Sequence, residues 1–245
     1  MLLSLNGLKG FKIQASDGEI GKIRDIIFEE ESRAIRYLVV RTGSWLERHE
    51  VLLSPSTLGR PDGKNEIIPV DLTRDEVGNS PDISCDPPIS RKEERKLFLY
   101  YNWPMYWAGD GTFGGSMPPV PVPPADEAAG EEENGPGLRS GDEIEGYHVK
   151  ATDGEIGHIN DLVIDDEVWV LRYLAVDTRD WFPGKKVLVA VGWVEEIDWL
   201  AKQVTVGLSR QKIEKSPPYD PHFPVNREYE DRIFDYYGKP KYWER

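Results

Sequence analysis

The chain is written twice, and this duplication limits what it can fold into more than any single motif does. Residues 8–107 return as residues 144–243 at a constant offset of 136 positions, with no insertion or deletion between them. About a third of the aligned pairs are identical, and the period is far longer than the roughly 20–50 residues of a solenoid repeat, so the unit is a duplicated domain. The matches fall in blocks. Ala15-Ser16-Asp17-Gly18-Glu19-Ile20-Gly21 answers Ala151-Thr152-Asp153-Gly154-Glu155-Ile156-Gly157, and Ile35 to Val40 answers Leu171 to Val176. Near the end of each copy Arg91, Glu94, Phe98, Tyr100, Tyr101, Pro104, Tyr106 and Trp107 recur as Arg227, Glu230, Phe234, Tyr236, Tyr237, Pro240, Tyr242 and Trp243. A site older than the duplication should therefore be visible in both copies.

Two domains follow, residues 1–107 and 144–245, joined by a connector over residues 108–143. Formal charge is uneven: −2, −5 and −7 for those three segments, so half of the total of −14 sits in the connector. Neither domain carries the basic excess with which nucleic-acid binders displace counterions, which argues against a nucleic-acid partner. The single Cys85 is replaced by Pro221 in the second copy, leaving no disulfide framework and no cysteine cluster for zinc. A reducing cytoplasm is the expected compartment. The apolar start Met1 to Leu5 lacks the basic lead and longer apolar core of a signal peptide, and no stretch approaches the ~20 apolar residues needed to cross a bilayer. Any membrane association is thus expected to be peripheral, through a partner.

The connector contains Pro118-Pro119-Val120-Pro121-Val122-Pro123-Pro124 and then Glu131-Glu132-Glu133-Asn134-Gly135-Pro136. Such composition favours extended backbone and buries little apolar surface, so it reads as a tether. Within each copy the texture is that of short strands. Phe11, Ile13 and Ala15 alternate before Asp17-Gly18, a hairpin-turn dipeptide. Strands are predicted at Ile20 to Phe28, Ala34 to Thr42, Glu50 to Leu53 and Ile67 to Val70. Five short antiparallel strands per copy predict a small barrel, in which closure hides the edges. Helix signals follow: capping boxes at Thr73 to Glu76 and Ser90 to Glu93, then Glu94, Leu97, Phe98 and Tyr101 on one helical face, repeated as Glu230, Ile233, Phe234 and Tyr237 with Asn226 as cap.

Several of these blocks resemble the PRC-barrel domain, the fold of the cytoplasmic part of the photosynthetic reaction-centre H subunit and of a barrel in a ribosome maturation factor. The residues that carry the resemblance are Leu8-Lys9-Gly10-Phe11, Asp17 to Ile23, Ile35 to Val40, Val51-Leu52-Leu53-Ser54 and Ile68-Pro69-Val70, with the same set from Ile144 to Val206. The aromatic ending Tyr100 to Trp107 looks like the tail of stand-alone bacterial members. The resemblance implies a mainly β chain of two small antiparallel barrels, each followed by short helices, that binds other proteins and has no shared catalytic centre. It also suggests two alternatives: a peripheral adaptor of a membrane photosynthetic or electron-transport complex, or a factor associated with ribosome or RNA maturation.

No catalytic, cofactor or metal site is nominated by the residues themselves. His49, His148, His158 and His222 align with Lys185, Lys12, Lys22 and Asp86, so no imidazole site is duplicated. The shared acids are expected to be structural: Asp17-Gly18 and Asp153-Gly154 as turns, Asp25 with Arg36 and Asp161 with Arg172 as ion pairs between neighbouring strands. Aromatic residues are the better functional lead, because Tyr and Trp combine a large apolar area with a polar tip at binding hot spots. Trp103, Tyr106, Trp107, Tyr242 and Trp243 are therefore the candidate partner-binding residues, with part of each tail docked on its own barrel. The expected function is a non-catalytic protein–protein interaction or scaffold module whose two copies pack as an internal pseudo-dimer.

Overall fold

The computed structural model describes residues 1–46, 49–107, 137–178 and 185–244. In chain order the elements are β1 (Leu2–Ser4), α1 (Leu5–Leu8), β2 (Lys12–Ala15), β3 (Gly18–Glu29), β4 (Ile35–Thr42), β5 (Glu50–Leu53), β6 (Ile67–Pro69), α2 (Arg74–Gly78) and α3 (Arg91–Tyr101). The second series is β7 (Leu138–Ser140), α4 (Gly141–Ile144), β8 (His148–Ala151), β9 (Gly154–Asp165), β10 (Val170–Asp177), β11 (Lys186–Ala190), β12 (Val194–Asp198), β13 (Gln203–Val206), α5 (Arg210–Glu214) and α6 (Arg227–Tyr237). The chain is mainly β, with two sheets. No helix among the described residues is long and apolar enough to cross a membrane.

The chain divides into two compact units whose boundaries differ from the expected domains. A proximal unit comprises Lys9–Ser140, and a distal unit comprises Gly141–Arg245 together with Met1–Leu8. The reason is strand pairing. β1 lies antiparallel to β9, with Leu2 opposite Asp165 and Ser4 opposite Val163. β7 lies antiparallel to β3, with Leu138 opposite Glu29 and Ser140 opposite Ile27. Each unit thus takes its leading strand from the stretch that precedes the other repeat. Within the stretch expected to run as tether up to Glu143, Leu138–Ser140 is strand and Gly141–Ile144 is helix; residues 108–136 lie outside the described residues.

The proximal sheet runs β5-β4-β3-β2-β6 with β7 on β3, and the distal sheet runs β11-β10-β9-β8-β13-β12 with β1 on β9. The antiparallel expectation fails at one ladder in each: β2–β6 and β8–β13 are parallel. Among the described residues neither sheet closes into a ring of ladders.

Sequence explains the strands well. Ile26, Ile27 and Phe28 are consecutive and all fully buried, as are Leu38, Val39 and Val40, because these strands are covered on both faces. On one face Ile27, Tyr37, Val39 and Leu52 pack against Leu97 and Phe98 of α3 and against Leu138 of β7. Gly21 and Gly157 are required by close approach: a Cβ would fall 2.1 Å from the Arg41 carbonyl oxygen and 1.9 Å from that of Asp177. Both predicted capping boxes form at α2 and α3, and Asn226 caps α6.

Candidate functional site

The aromatic tails fold back onto their own units. α3 turns Glu94, Leu97 and Phe98 inward, and Asn102 ends the helix in the left-handed conformation, sending Trp103 to Trp107 back across Phe98. Trp103 meets Phe98 edge-on at 5.6 Å and stacks on Tyr101 at 4.4 Å between ring centres. Tyr106 and Trp107 contact the same Phe98 at 5.9 and 4.8 Å. Trp103 and Tyr106 keep only 8% and 9% of their surface exposed, so neither is an open partner-binding residue. Trp107, Tyr242 and Trp243 are half-buried. The tail fills the cleft beside α3 because burial of these rings removes more apolar surface from water than a partner-free tail could hide otherwise.

Beneath the rings lies a buried polar centre present in both units. Tyr37 Oη and Tyr106 Oη donate to Glu94 Oε1 at 2.7 and 2.8 Å, while Arg91 Nη1 donates to Glu94 Oε2 at 2.9 Å. In the distal unit Tyr173 and Tyr242 donate to Glu230 Oε1 at 2.6 and 2.7 Å, and Arg227 pairs with Glu230 at 2.9 Å. Burial pushes the Glu94 carboxyl above its usual range, against the pull of Tyr37, Arg91 and Tyr106. Burial also raises the phenols of Tyr37, Tyr106 and Tyr173, each beside a glutamate. These phenols remain protonated donors at neutral pH, and their oxygens and the glutamate are enclosed by protein. Over the outer ring sits a guanidinium: Arg36 lies 3.7 Å from the Tyr106 centre and Arg172 lies 4.1 Å from that of Tyr242.

The shared acids bond to neighbouring strands and short helices. Arg36 pairs with Glu29 at 2.5 Å and Arg172 with Asp165 at 3.1 Å. Asp25 accepts from Ser140 Oγ at 2.5 Å, and Asp161 accepts from Ser4 Oγ at 2.6 Å. Asp25 and Asp161 are thus each bound by a hydroxyl donor on an exchanged strand. Asp17 and Asp153 sit at their turns and also accept from the first backbone N–H of the short helices, Arg74 N at 2.8 Å and Arg210 N at 2.7 Å. Gly18 and Gly154 follow at positive φ of 152° and 140°. A Cβ on Gly18 would meet Arg74 Cδ at 3.0 Å, a second reason for glycine there.

The histidines remain dispersed, apart from one cross-strand pair: His148 stands opposite His158 where Lys12 stands opposite Lys22. Among the described residues no group of three or more His, Cys, Asp or Glu side chains is arranged to hold a metal ion.

One cavity of about 210 Å³ opens in the proximal unit, with Val51, Leu52, Val77, Ile83, Cys85 and Leu97 in its apolar lining and His49, Glu50 and Asp82 among its polar residues. The Cys85 thiol is pushed up to about 12, by burial first and by Glu50 and Asp86 after it, so the cavity presents a neutral sulfhydryl. The equivalent region of the distal unit is crossed by hydrogen bonds. Lys185 Nζ reaches the Glu214 carbonyl, and Tyr229 Oη donates to the Pro218 carbonyl at 2.9 Å. His49, Gly78, Asp82 and Glu93 occupy the matching positions of the proximal unit. No sequence signal marked the cavity, because its lining comes from residues scattered from His49 to Leu97.

A family model for the PRC-barrel domain matches residues 2–80. The match takes in β1, α1 and every strand and helix from β2 to α2, so it begins in the distal unit and continues through the proximal one. Among curated proteins, none matches the chain.

Proposed function

We propose that the chain is a non-catalytic interaction module made of two PRC-barrel domains, acting in the cytoplasm with another protein as partner. The offset supports extending the family to the second repeat. Ile13 opposite Gly21 recurs as Val149 opposite Gly157, and Leu38 opposite Leu53 recurs as Leu174 opposite Val189. Barrel-like curvature is supported by the 12-residue strands β3 and β9, whose ladders carry register shifts of the kind that bend a strand.

The observation that carries the binding reading is a repeated aromatic that stays in solvent. Tyr100 is 40% exposed and Tyr236 39% exposed. The hydroxyl of each is anchored to the neighbouring short helix, Tyr100 Oη to the Glu76 carbonyl and Tyr236 Oη to the Lys212 carbonyl, both at 2.8 Å. An exposed ring held in place loses little entropy on contact, which is the property of a binding anchor. In the proximal unit Leu99, 55% exposed, adjoins it. The partner-binding face therefore moves from Trp103 and Tyr106 to the outer side of α3 and α6.

The test is quantitative crosslinking and capture with the full chain and with Leu99→Ser/Tyr100→Phe and Tyr236→Ser variants. Loss of a specific captured protein at unchanged melting temperature is expected. The same protein captured by all forms, or a catalytic turnover by the purified chain, would reject the reading.

A further inference from the structure

Each unit contains an acceptor edge that reads a strand of one pattern. In the distal unit β1 adds to the far half of β9 through a three-residue ladder. Leu2, Leu5 and Leu8 are buried to 8%, 0% and 1% exposure. Asp161 accepts from Ser4 Oγ at 2.6 Å and from the Asn6 backbone N–H at 3.0 Å, and Asn6 Nδ2 donates to the Asn160 carbonyl at 3.2 Å. The Met1 amino group pairs with Asp166. In the proximal unit β7 meets β3 in the same way, with Leu138 5% exposed and Ser140 Oγ on Asp25. Both occupants are Leu-X-Ser strands, and both readers are the aspartate shared by the repeats.

The arm Met1–Leu8 is held in the distal unit entirely by noncovalent contacts, because the chain leaves it at Lys9 to build the proximal unit. Gly10, two residues on, has φ of +95° and open space around it. We propose that the β9 edge is a docking surface for the arm of a second copy of this chain, so that copies join by reciprocal exchange of Met1–Leu8. A second copy is the occupant because it presents the same Leu2, Ser4, Asn6 and Leu8 in the same register. Every bond made in cis is then remade in trans, with no new interface needed. Only effective concentration separates the two forms. A short tether holds its end at roughly millimolar effective concentration, so exchange appears as the chain itself approaches that range. This inference is independent of the partner proposed above.

The experiment uses full chains on a Cys85→Ser background, one bearing Asn6→Cys and the other, with a different affinity tag, bearing Asn160→Cys. After mixing and refolding from denaturant at about 10 µM and about 1 mM, a short bis-maleimide is added. Interchain crosslinks between the two tags that rise with concentration are expected, together with a dimer in sedimentation. Adding Asp161→Ala should reduce them several-fold. The double variant Asn6→Cys/Asn160→Cys should crosslink within one chain at low concentration. Crosslinking within that double variant but none between chains at about 1 mM overturns the exchange. Failure of the double variant itself overturns the arm's placement.

Discussion

The two units reach one packing arrangement from different positions in the chain. In the proximal unit the ring between Phe98 and Tyr101 is Trp103, from the tail beyond α3. In the distal unit the tail has Lys239 there, and the ring against Phe234 and Tyr237, at 5.2 and 4.7 Å, is Trp193 from the turn after β11. Trp193 aligns with Thr57, so each copy supplies one tryptophan and lacks the other. What the two copies share is a tryptophan ring packed beside Phe98 or Phe234, as close packing of a core requires, whichever segment supplies it.

The buried glutamates offer the largest test of how alike the units are. Glu94 is fully buried and its partner Arg91 is 21% exposed, whereas Glu230 is 3% exposed and Arg227 is 52% exposed. Removing either carboxylate strands two phenol hydroxyls, but the proximal unit also strands a poorly hydrated guanidinium. Glu94→Ala should cost about 3–5 kcal/mol and Glu230→Ala about 2–3 kcal/mol, read by denaturant unfolding with probes in each unit. Equal losses would mean that exposure of the arginine is irrelevant. The sign with pH also follows. Because burial raises the Glu94 carboxyl in the folded state, its contribution is full below the unfolded value near 4.5 and is lost as pH rises through the folded value. Glu94→Gln should flatten that part of the stability profile above pH 4.5.

The tryptophan exchange can be tested by moving it. Trp103→Lys alone should lower stability by about 3 kcal/mol, as expected for loss of a large buried ring. Adding Thr57→Trp should recover part of that loss by placing a ring where Trp193 sits in the other copy. No recovery would show that the backbone around residue 57 differs too much for the slot to be shared.

The strand positions and both capping boxes were legible because they depend on local pattern: β-branched runs, Asp-Gly turns, and Thr or Ser three residues before Glu. The exchange of β1 and β7 was not. Leu-X-Ser is three residues long, and its pairing is decided by which edge lies open rather than by anything local. Asp25 and Asp161 were read as partners of Arg36 and Arg172 because opposite charges on neighbouring strands suggest it. The hydroxyl donors that also reach them, Ser140 and Ser4, lie 115 and 157 residues away in sequence, where no local pattern points to them. The aromatic tails were recognised as important, but composition does not distinguish a ring that docks inward from one that binds outward; Trp103 went in and Tyr100 stayed out.

The smallest expected effect concerns a strand present in one unit and incomplete in the other. β12 pairs with β13 from Val194 to Asp198, with Ile197 opposite Val204. The equivalent stretch of the proximal unit keeps the same register, but only as single bridges, Leu58 with Val70 and Asp62 with Ile67. Pro61 stands where Ile197 does; Asp62 and Ile67 exchange both backbone bonds, so the nitrogen at 61 faces away from the ladder, and what proline imposes is a φ fixed near −65°, short of the extended value of a strand. Pro61→Ile lifts that constraint, an effect on the order of 1 kcal/mol or less. The gain should appear as slower amide exchange at Asp62 and Ile67, with a slight rise in melting temperature. The reverse change, Ile197→Pro, should speed exchange across β12 and β13 while leaving β8–β11 protected, because β12 is the last strand of its sheet and pairs with β13 alone. If Pro61→Ile leaves exchange unchanged, the proline's fixed φ is not what separates the two hairpins, and the cause lies in Gly59, whose counterpart is Glu195.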